Sequence, residues 1–425
     1  MKTIPLLAIA LALATTPLAF AAQPPAATTT ADATALATAN NAFACDLYAQ
    51  LKGDDSGARE NLFFSPFSVS SALAMACAGA KGDTAAQMQK ALHFSDAQKN
   101  KNTNANVHAS FAALLKHFDD VQRAGTVQLA IANSLWPQKD ARTPLLKSYL
   151  ALVKQNYGVK ITPVDFVRAE PKARAQINRW VAEKTHGKIQ DIIGNPIDPL
   201  TRLVLVNAVY FKGTWENIFK PDSTKEEPFF IWDAPAVQSP LMRQTKSYSY
   251  GKQPDAQFIE MPYKGGNVSM FVILPESISK EGLARVEKQL SPEQIALWRN
   301  QMKKQEVEIY LPKFKINWGA KSLVNPLKKL GMLDAFVEEQ ADFSDMNGNK
   351  EFSISDILQK AFVDVNEEGT EAAAATTIAV ACSGIMPLPP PPPIFRADHP
   401  FLFFIQDNAT GSILFMGRVV NPAAQ

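Results

Sequence analysis

Residues 203–211 read LVLVNAVYF, an apolar run broken only by Asn207. A continuous apolar run this short is a strand buried on both faces. A chain holding such a strand must cover it from two sides, which calls for a large core. With 425 residues, 46% of them hydrophobic, the chain has the material for one. Asn207 adds a second demand. A buried amide without partners costs about 1–3 kcal/mol, so other polar groups must meet it inside the protein.

Elsewhere the signals are mixed and segregated. Ser65 before Pro66 reads as a helix start, with the hydroxyl as cap and proline in the first turn. Val69, Leu73 and Cys77 then share one helical face, and Gly79 is a natural stop. Helical periodicity recurs over 42–52, 107–118, 144–157 and around Ile177, Trp180 and Val181. Residues 127–136 read as a strand. From 258 onward strands dominate, with hairpins at Lys264-Gly265-Gly266 and at Asn408-Ala409-Thr410-Gly411. This is α+β patterning, not βαβ alternation.

The stretch 367–394, EEGTEAAAATTIAVACSGIMPLPPPPPI, stands apart. It begins with small side chains and ends in polyproline. Such a segment is either a linker or a strand for a tightly packed sheet. Residues 389–393 read as a stiff polyproline II spacer.

Formal net charge is +2, with no long basic run, so nucleic acid finds no support as a partner. No Cys/His grouping has metal-ligand spacing, and no cofactor or metal is expected. The five histidines, His93, His108, His117, His186 and His399, have no evident nucleophile motif beside them, so hydrolase activity is not expected. Cys45 and Cys77 read as small buried core residues; Cys382 lies in the unusual stretch.

Residues 1–21 have a charged Lys2, an apolar run from Ile4 to Leu13 and a small-x-small site at Ala19-Phe20-Ala21. That is the pattern of a secretory signal peptide, too short to span a membrane. Residues 22–38, rich in Ala, Thr and Pro, read as a disordered leader, followed by one domain over 39–425. A secreted or periplasmic location follows.

Five blocks in order then point to a family. FRADHPFLFFI at 395–405 matches the C-terminal signature of the serpins, the serine protease inhibitors. NLFFSPFSVSSALAM at 61–75, LVLVNAVYFKGTWE at 203–216, VEIYLPKFKI at 307–316 and LKKLGMLDAF at 327–336 are similar to serpin segments too. The chain is identified as resembling a secreted, bacterial-type member.

The resemblance implies three β-sheets, eight or nine helices and a reactive-centre loop at about 367–394. It implies a monomer that traps serine proteases as covalent acyl-enzymes. Its hinge would be Glu367, Gly369, Thr370, Glu371, Ala372, Ala373, Ala374 and Ala375. Counting from Glu367 puts the attacked bond at Ser383-Gly384, with Cys382-Ser383 as second choice. Small residues around it suit elastase- or subtilisin-like targets. Ser65, Ser68 and Asn207 would form a polar shutter under the main sheet, with Gln359 where relatives commonly place histidine. Trp215 would stand at the breach where the loop enters.

The residues can be read against that picture. With Glu371 on the solvent face, Thr370, Ala372, Ala374, Thr376, Ile378 and Val380 face inward, without charge and without proline. Two alternatives remain: a non-inhibitory serpin that binds or stores a ligand, and an inhibitor of papain-like cysteine proteases.

Overall fold

The computed structural model describes residues 30–53, 60–97, 104–139, 144–370 and 390–424. Its first seven strands are β1 (Leu62–Phe64), β2 (Val127–Pro137), β3 (Leu203–Thr214), β4 (Lys225–Phe229), β5 (Val237–Lys252), β6 (Ala256–Pro262) and β7 (Val268–Pro275). There follow β8 (Lys303–Pro312), β9 (Phe314–Ser322), β10 (Asp356–Asn366), β11 (Gly369–Thr370), β12 (Ile394–Arg396), β13 (Phe401–Asp407) and β14 (Ile413–Val419). The longer helices on the N-terminal side are α1 (Thr30–Leu51), α2 (Pro66–Cys77) and α3 (Gly82–Ala91). After the one-turn α4 (Phe94–Ala97) come α5 (Asn104–Arg123), α6 (Lys147–Tyr157) and α7 (Glu170–Lys184). Two further helices of this size, α8 (Lys280–Lys288) and α9 (Pro292–Gln301), lie between β7 and β8.

The strands form three sheets. One is five-stranded, in the order β2-β3-β11-β10-β9. Of the other nine strands, eight are hydrogen-bonded in one path and β4 joins beside it at β5, but the long β5 serves two sheets. Its first residues pair with β4, its last four with β6, and β8 runs along most of its length. On one side of this join lie β1, β14, β13, β7 and β6; on the other lie β4, β8 and β12.

The expectation for β3 holds: residues 203–211 are all buried. The two faces enter two cores. Leu205, Val209 and Phe211 join the main one, beneath which α2 lies with all its residues buried. Val204, Val206 and Ala208 join a smaller core capped by Ile177 and Val181 of α7. α2 begins as read: Ser65 is its cap, and Ser65 Oγ accepts from Ser68 N at 3.3 Å.

The leader expectation needs correcting. The first helix begins at Thr30, inside the stretch assigned to disorder, and Leu36 and Ala37 are buried. From residue 31 onward the composition is alanine-rich without proline, which favours helix, and packing of Leu36 holds that helix to the body. Cys45 and Cys77 are buried free thiols, both pushed up to about 12 by burial first. Cys382 lies outside the described residues.

One pairing distinguishes the five-stranded sheet. β2 and β9 run antiparallel to their neighbours, but β3 and β10 pair in parallel, from Asp356↔Val204 to Phe362↔Tyr210. A parallel ladder is slightly less stable per residue than an antiparallel one. The sheet therefore has a seam at its centre.

Candidate functional site: a seam with the loop's first residues in it

β10 ends at Asn366, the chain turns at Glu367-Glu368, and β11 returns between β10 and β3. Thr370 pairs with Val365 on one side and Gly213 on the other; Gly369 pairs with Asn366 and Thr214. Two residues of the stretch singled out in the sequence thus occupy the upper end of the seam, antiparallel to both neighbours.

Glycine is required at the first of them. Gly369 has φ +150°, and a Cβ there would lie 2.0 Å from Gly213 O and 2.7 Å from Thr214 Cα. Gly369→Ala is expected to drive β11 out of the sheet. Hydrogen exchange at Val365 and Thr370 should accelerate about tenfold or more, corresponding to roughly 1–3 kcal/mol of strain.

The turn is anchored from three sides. Trp215 is buried and donates from Nε1 to Asn366 O at 3.0 Å, while its backbone N–H donates to Glu368 O at 2.9 Å. Its ring stacks on Tyr263 at 4.6 Å, and the Tyr263 and Thr370 hydroxyls are 2.8 Å apart in the interior. Glu367 meets Lys313 Nζ at 2.9 Å and accepts from Thr224 Oγ1 at 2.9 Å. Burial pushes the Glu367 carboxyl up, but Lys313 and the hydrogen bonds outweigh it and hold it below the usual carboxylate range.

Farther down the seam, the demand made by Asn207 is met by an amide row. Asn133 on β2, Asn207 on β3 and Gln359 on β10 are register partners across the three strands. Asn207 Nδ2 donates to Asn133 Oδ1 and to Ser68 Oγ, both at 2.5 Å. Gln359 Nε2 donates to Asn207 Oδ1 at 2.6 Å and to Ser65 O at 3.0 Å. Ser68 Oγ donates to Asn133 Oδ1 at 2.9 Å, and Asn133 Nδ2 donates to Ser68 O at 3.1 Å. Ser65 Oγ donates to Leu414 O at 2.6 Å, tying α2 to β14.

The structure therefore brings Ser65, Ser68, Asn207 and Gln359 together, with Trp215, Glu367, Gly369 and Thr370 above them. Glu371 to Ala375 and the bond candidates Cys382, Ser383 and Gly384 lie outside the described residues. Sequence reasoning missed Asn133, Tyr263, Lys313 and Thr224. Asn133 carried a usable signal: like Asn207, it is an amide in the middle of a strand that is otherwise largely apolar.

The row holds no titratable group. It also leaves one atom unmet, since Gln359 Oε1 is buried with no hydrogen-bond partner among the described residues. The Gln359–Asn207 bond crosses the seam, so the seam cannot part without breaking it. Asn207→Ala removes that bond and leaves a cavity. It should lower the melting temperature by roughly 3–5 °C, for a loss of about 3 kcal/mol in a domain of this size. The variant should also aggregate on mild heating sooner than the parent, read by light scattering.

This fold and site define a protein built around one parallel seam, with the start of a loop already lodged in it. A profile of the family described as Serpin (serine protease inhibitor) matches residues 38–422. Leukocyte elastase inhibitor A of Mus musculus is 41% identical, over 91% of this chain and 99% of that protein. The leukocyte elastase inhibitor of Homo sapiens is 40% identical over the same shares. Among solved structures, human thyroxine-binding globulin complexed with thyroxine superposes with a TM-score of 0.80 at 28% identity, covering 92% of this chain and 100% of the other. The chain belongs to the serpin family, and the elastase inhibitors it matches over nearly its whole length are protease inhibitors and not enzymes.

Proposed function

We propose that this protein inhibits serine endopeptidases of elastase or subtilisin type as a suicide substrate. The observation that carries the reading is β11, seated antiparallel between two strands that are parallel partners below it. The match to elastase inhibitors over nearly the whole chain supports the same target class.

The protease serine attacks the carbonyl of Ser383 in the loop. The C–N bond to Gly384 breaks, an ester forms, and the serine proton leaves on the new amine. With the far end of the loop released, residues after Thr370 are free to follow β11 into the seam. Insertion of this kind is an established behaviour of serpins; what the present structure adds is a register. If the inserted chain kept the register of Gly369 and Thr370, Thr376 would fall opposite both Asn207 and Gln359. It shares the inward face of Thr370, so its hydroxyl would meet the unpartnered Gln359 Oε1. The shutter would open by losing the Gln359–Asn207 bond and close again around Thr376. Ser65, Ser68, Asn207 and Gln359 act in this as the shutter, Trp215 as the breach residue, and Glu367, Gly369, Thr370, Glu371, Ala372, Ala373, Ala374 and Ala375 as the hinge.

The small residues Val380 to Ser383 suit shallow primary pockets, which favours elastase- and subtilisin-like targets over proteases that want Arg or Lys. The export pattern of residues 1–21 supports secretion or a periplasmic location.

The test is a panel of elastase-, subtilisin-, trypsin- and papain-type proteases. Complexes that survive SDS should form with the first two classes, and mass spectrometry of the released peptide should show an N-terminus at Gly384. Cleavage of the loop without any stable complex would defeat the reading in favour of a binding or storage protein. Complexes with papain-type enzymes alone would move the target class.

A further inference from the structure

At the foot of the seam, far from the end where β11 is lodged, the structure holds an unassigned cavity of about 440 Å³. That volume lies within the roughly 300–1,000 Å³ typical of small-ligand sites. The linker from α7 to β3 forms one wall, through residues 192–201. The starts of β3 and β10 form the other, through Val204, Asp356 and Leu358. Val204 and Asp356 are the first register pair of the parallel ladder, so the cavity straddles the seam where it begins.

The linker wall is fixed in place by α7. Ile193 exchanges two hydrogen bonds with the Asn178 side chain, both at 3.0 Å, and Ile197 N–H donates to Glu170 Oε1 at 3.1 Å. The lining divides by chemistry. Ile192 and Val204 are buried in the smaller core, and Ile197 and Leu358 pack against it, giving an apolar floor. Leu200 stands at the mouth. At 70% exposure it is the most exposed large apolar side chain among the described residues. The charge is all of one sign: Asp198 and Asp356 line the cavity, and no Lys, Arg or His does. Asp198 Oδ1 accepts from Leu200 N–H at 2.8 Å. Asp356 Oδ1 accepts from Ile357 N–H at 2.8 Å and from Ser322 Oγ at 2.6 Å. Neither carboxylate has an ion-pair partner among the described residues; Arg202, the nearby cation of the same linker, pairs with Glu338 at 3.4 Å.

We infer that this cavity binds an aliphatic amine, an ammonium head on a hydrocarbon body. The floor and Leu200 take the body by burial of hydrocarbon surface. The two carboxylates take the head at the solvated rim, where desolvation is slight. An anionic amphiphile meets the wrong sign there, and a small hydrophilic cation gains nothing from the floor. An occupant touching Val204 on β3 and Asp356 and Leu358 on β10 holds both sides of the seam at once, so binding opposes its parting.

The probe is octylamine hydrochloride, titrated below its micelle-forming concentration into the full chain at neutral pH and followed by calorimetry. Saturable one-to-one binding is expected. Octanoate, with the opposite charge, and methylamine, with the head but no body, should not saturate. Asp198→Asn combined with Asp356→Asn should weaken octylamine about tenfold, since two partly solvated charge contacts are lost. Asparagine keeps the Oδ1 acceptor at both positions, so folding should survive, checked by an unchanged melting temperature of the free protein. Leu200→Ser should weaken binding severalfold through lost hydrocarbon contact. At saturation, amide hydrogen exchange over 203–206 and 356–359 should slow severalfold, because the bound amine ties the two strands together. Absence of saturable binding, equal binding of octanoate, undiminished binding by the double variant, or unchanged exchange at the foot of the seam would overturn the assignment. No protease enters the experiment, so its outcome is independent of whether the chain inhibits one.

Discussion

Thr370→Arg is expected to convert the inhibitor into an ordinary substrate. Thr370 is fully buried between β3 and β10, with Gly213 opposite and only the Tyr263 hydroxyl as polar company. A guanidinium placed there would have to shed its water without a carboxylate to meet it, a cost of several kcal/mol. The inserted state would survive such a loss, but the rate of reaching it would not. Trapping competes with hydrolysis of the acyl-enzyme, and each 1.4 kcal/mol added to the insertion barrier shifts that competition about tenfold. SDS-stable complex should fall more than about tenfold while cleavage of the loop continues. Thr370→Val keeps the shape and removes only the hydroxyl, so its effect should be much smaller, on the order of 1 kcal/mol. Complex formed by Thr370→Arg at the parent's yield would remove the seam from the mechanism.

Cutting the loop should stabilise the protein. Insertion exchanges one parallel ladder, seven register pairs long, for two antiparallel ones. About a dozen added strand positions, at roughly 0.5–1.5 kcal/mol per net hydrogen bond plus buried methyl groups, release on the order of ten kcal/mol. A domain of about 385 residues unfolds with an entropy near ~0.8 kcal/mol/K, so the melting temperature should rise by roughly 10 °C or more. Calorimetry before and after limited proteolysis within 376–386 measures it. No rise would mean the cut loop stays outside the sheet, as for a non-inhibitory member. Thr376→Ala should keep most of the rise and lose the part due to Gln359, about 1–2 kcal/mol.

The pH dependence of the hinge has a definite sign. The Glu367 carboxyl sits below its ordinary value in the folded state. Its contribution is therefore present above the unfolded carboxylate pKa and is lost as pH falls through the lower, folded one. The amide row holds no titratable group, so acid loosens the turn above the seam and leaves the row's hydrogen bonds intact.

Much of this was legible before any coordinates. Residues 203–211 read as a strand covered twice, because the run is short and rich in β-branched and aromatic side chains, Val204, Val206, Val209, Tyr210 and Phe211. Ser65-Pro66 announced its helix through capping chemistry, which is local. The loop could be sorted into an inward and an outward face because a strand alternates with period two. The family followed from five ordered blocks. The helix over 30–41 was missed because leader-like composition and a weakly amphipathic, alanine-rich helix look alike. Only the packing of Leu36 distinguishes them.

Taken alone, the sequence determined that a buried amide at 207 needs partners and that Ser65 caps a helix beginning at Pro66. Both are properties of single segments, set by side-chain chemistry and periodicity. Tertiary structure alone decided who the partners are. Asn133, Asn207 and Gln359 lie far apart in the chain and become neighbours only through strand register. The same is true of Tyr263, Lys313 and Thr224 around the hinge. Register is a collective outcome of packing a whole sheet over its two cores, so no window of residues contains it. That is why the place of Thr370 in the seam had to be read from the fold.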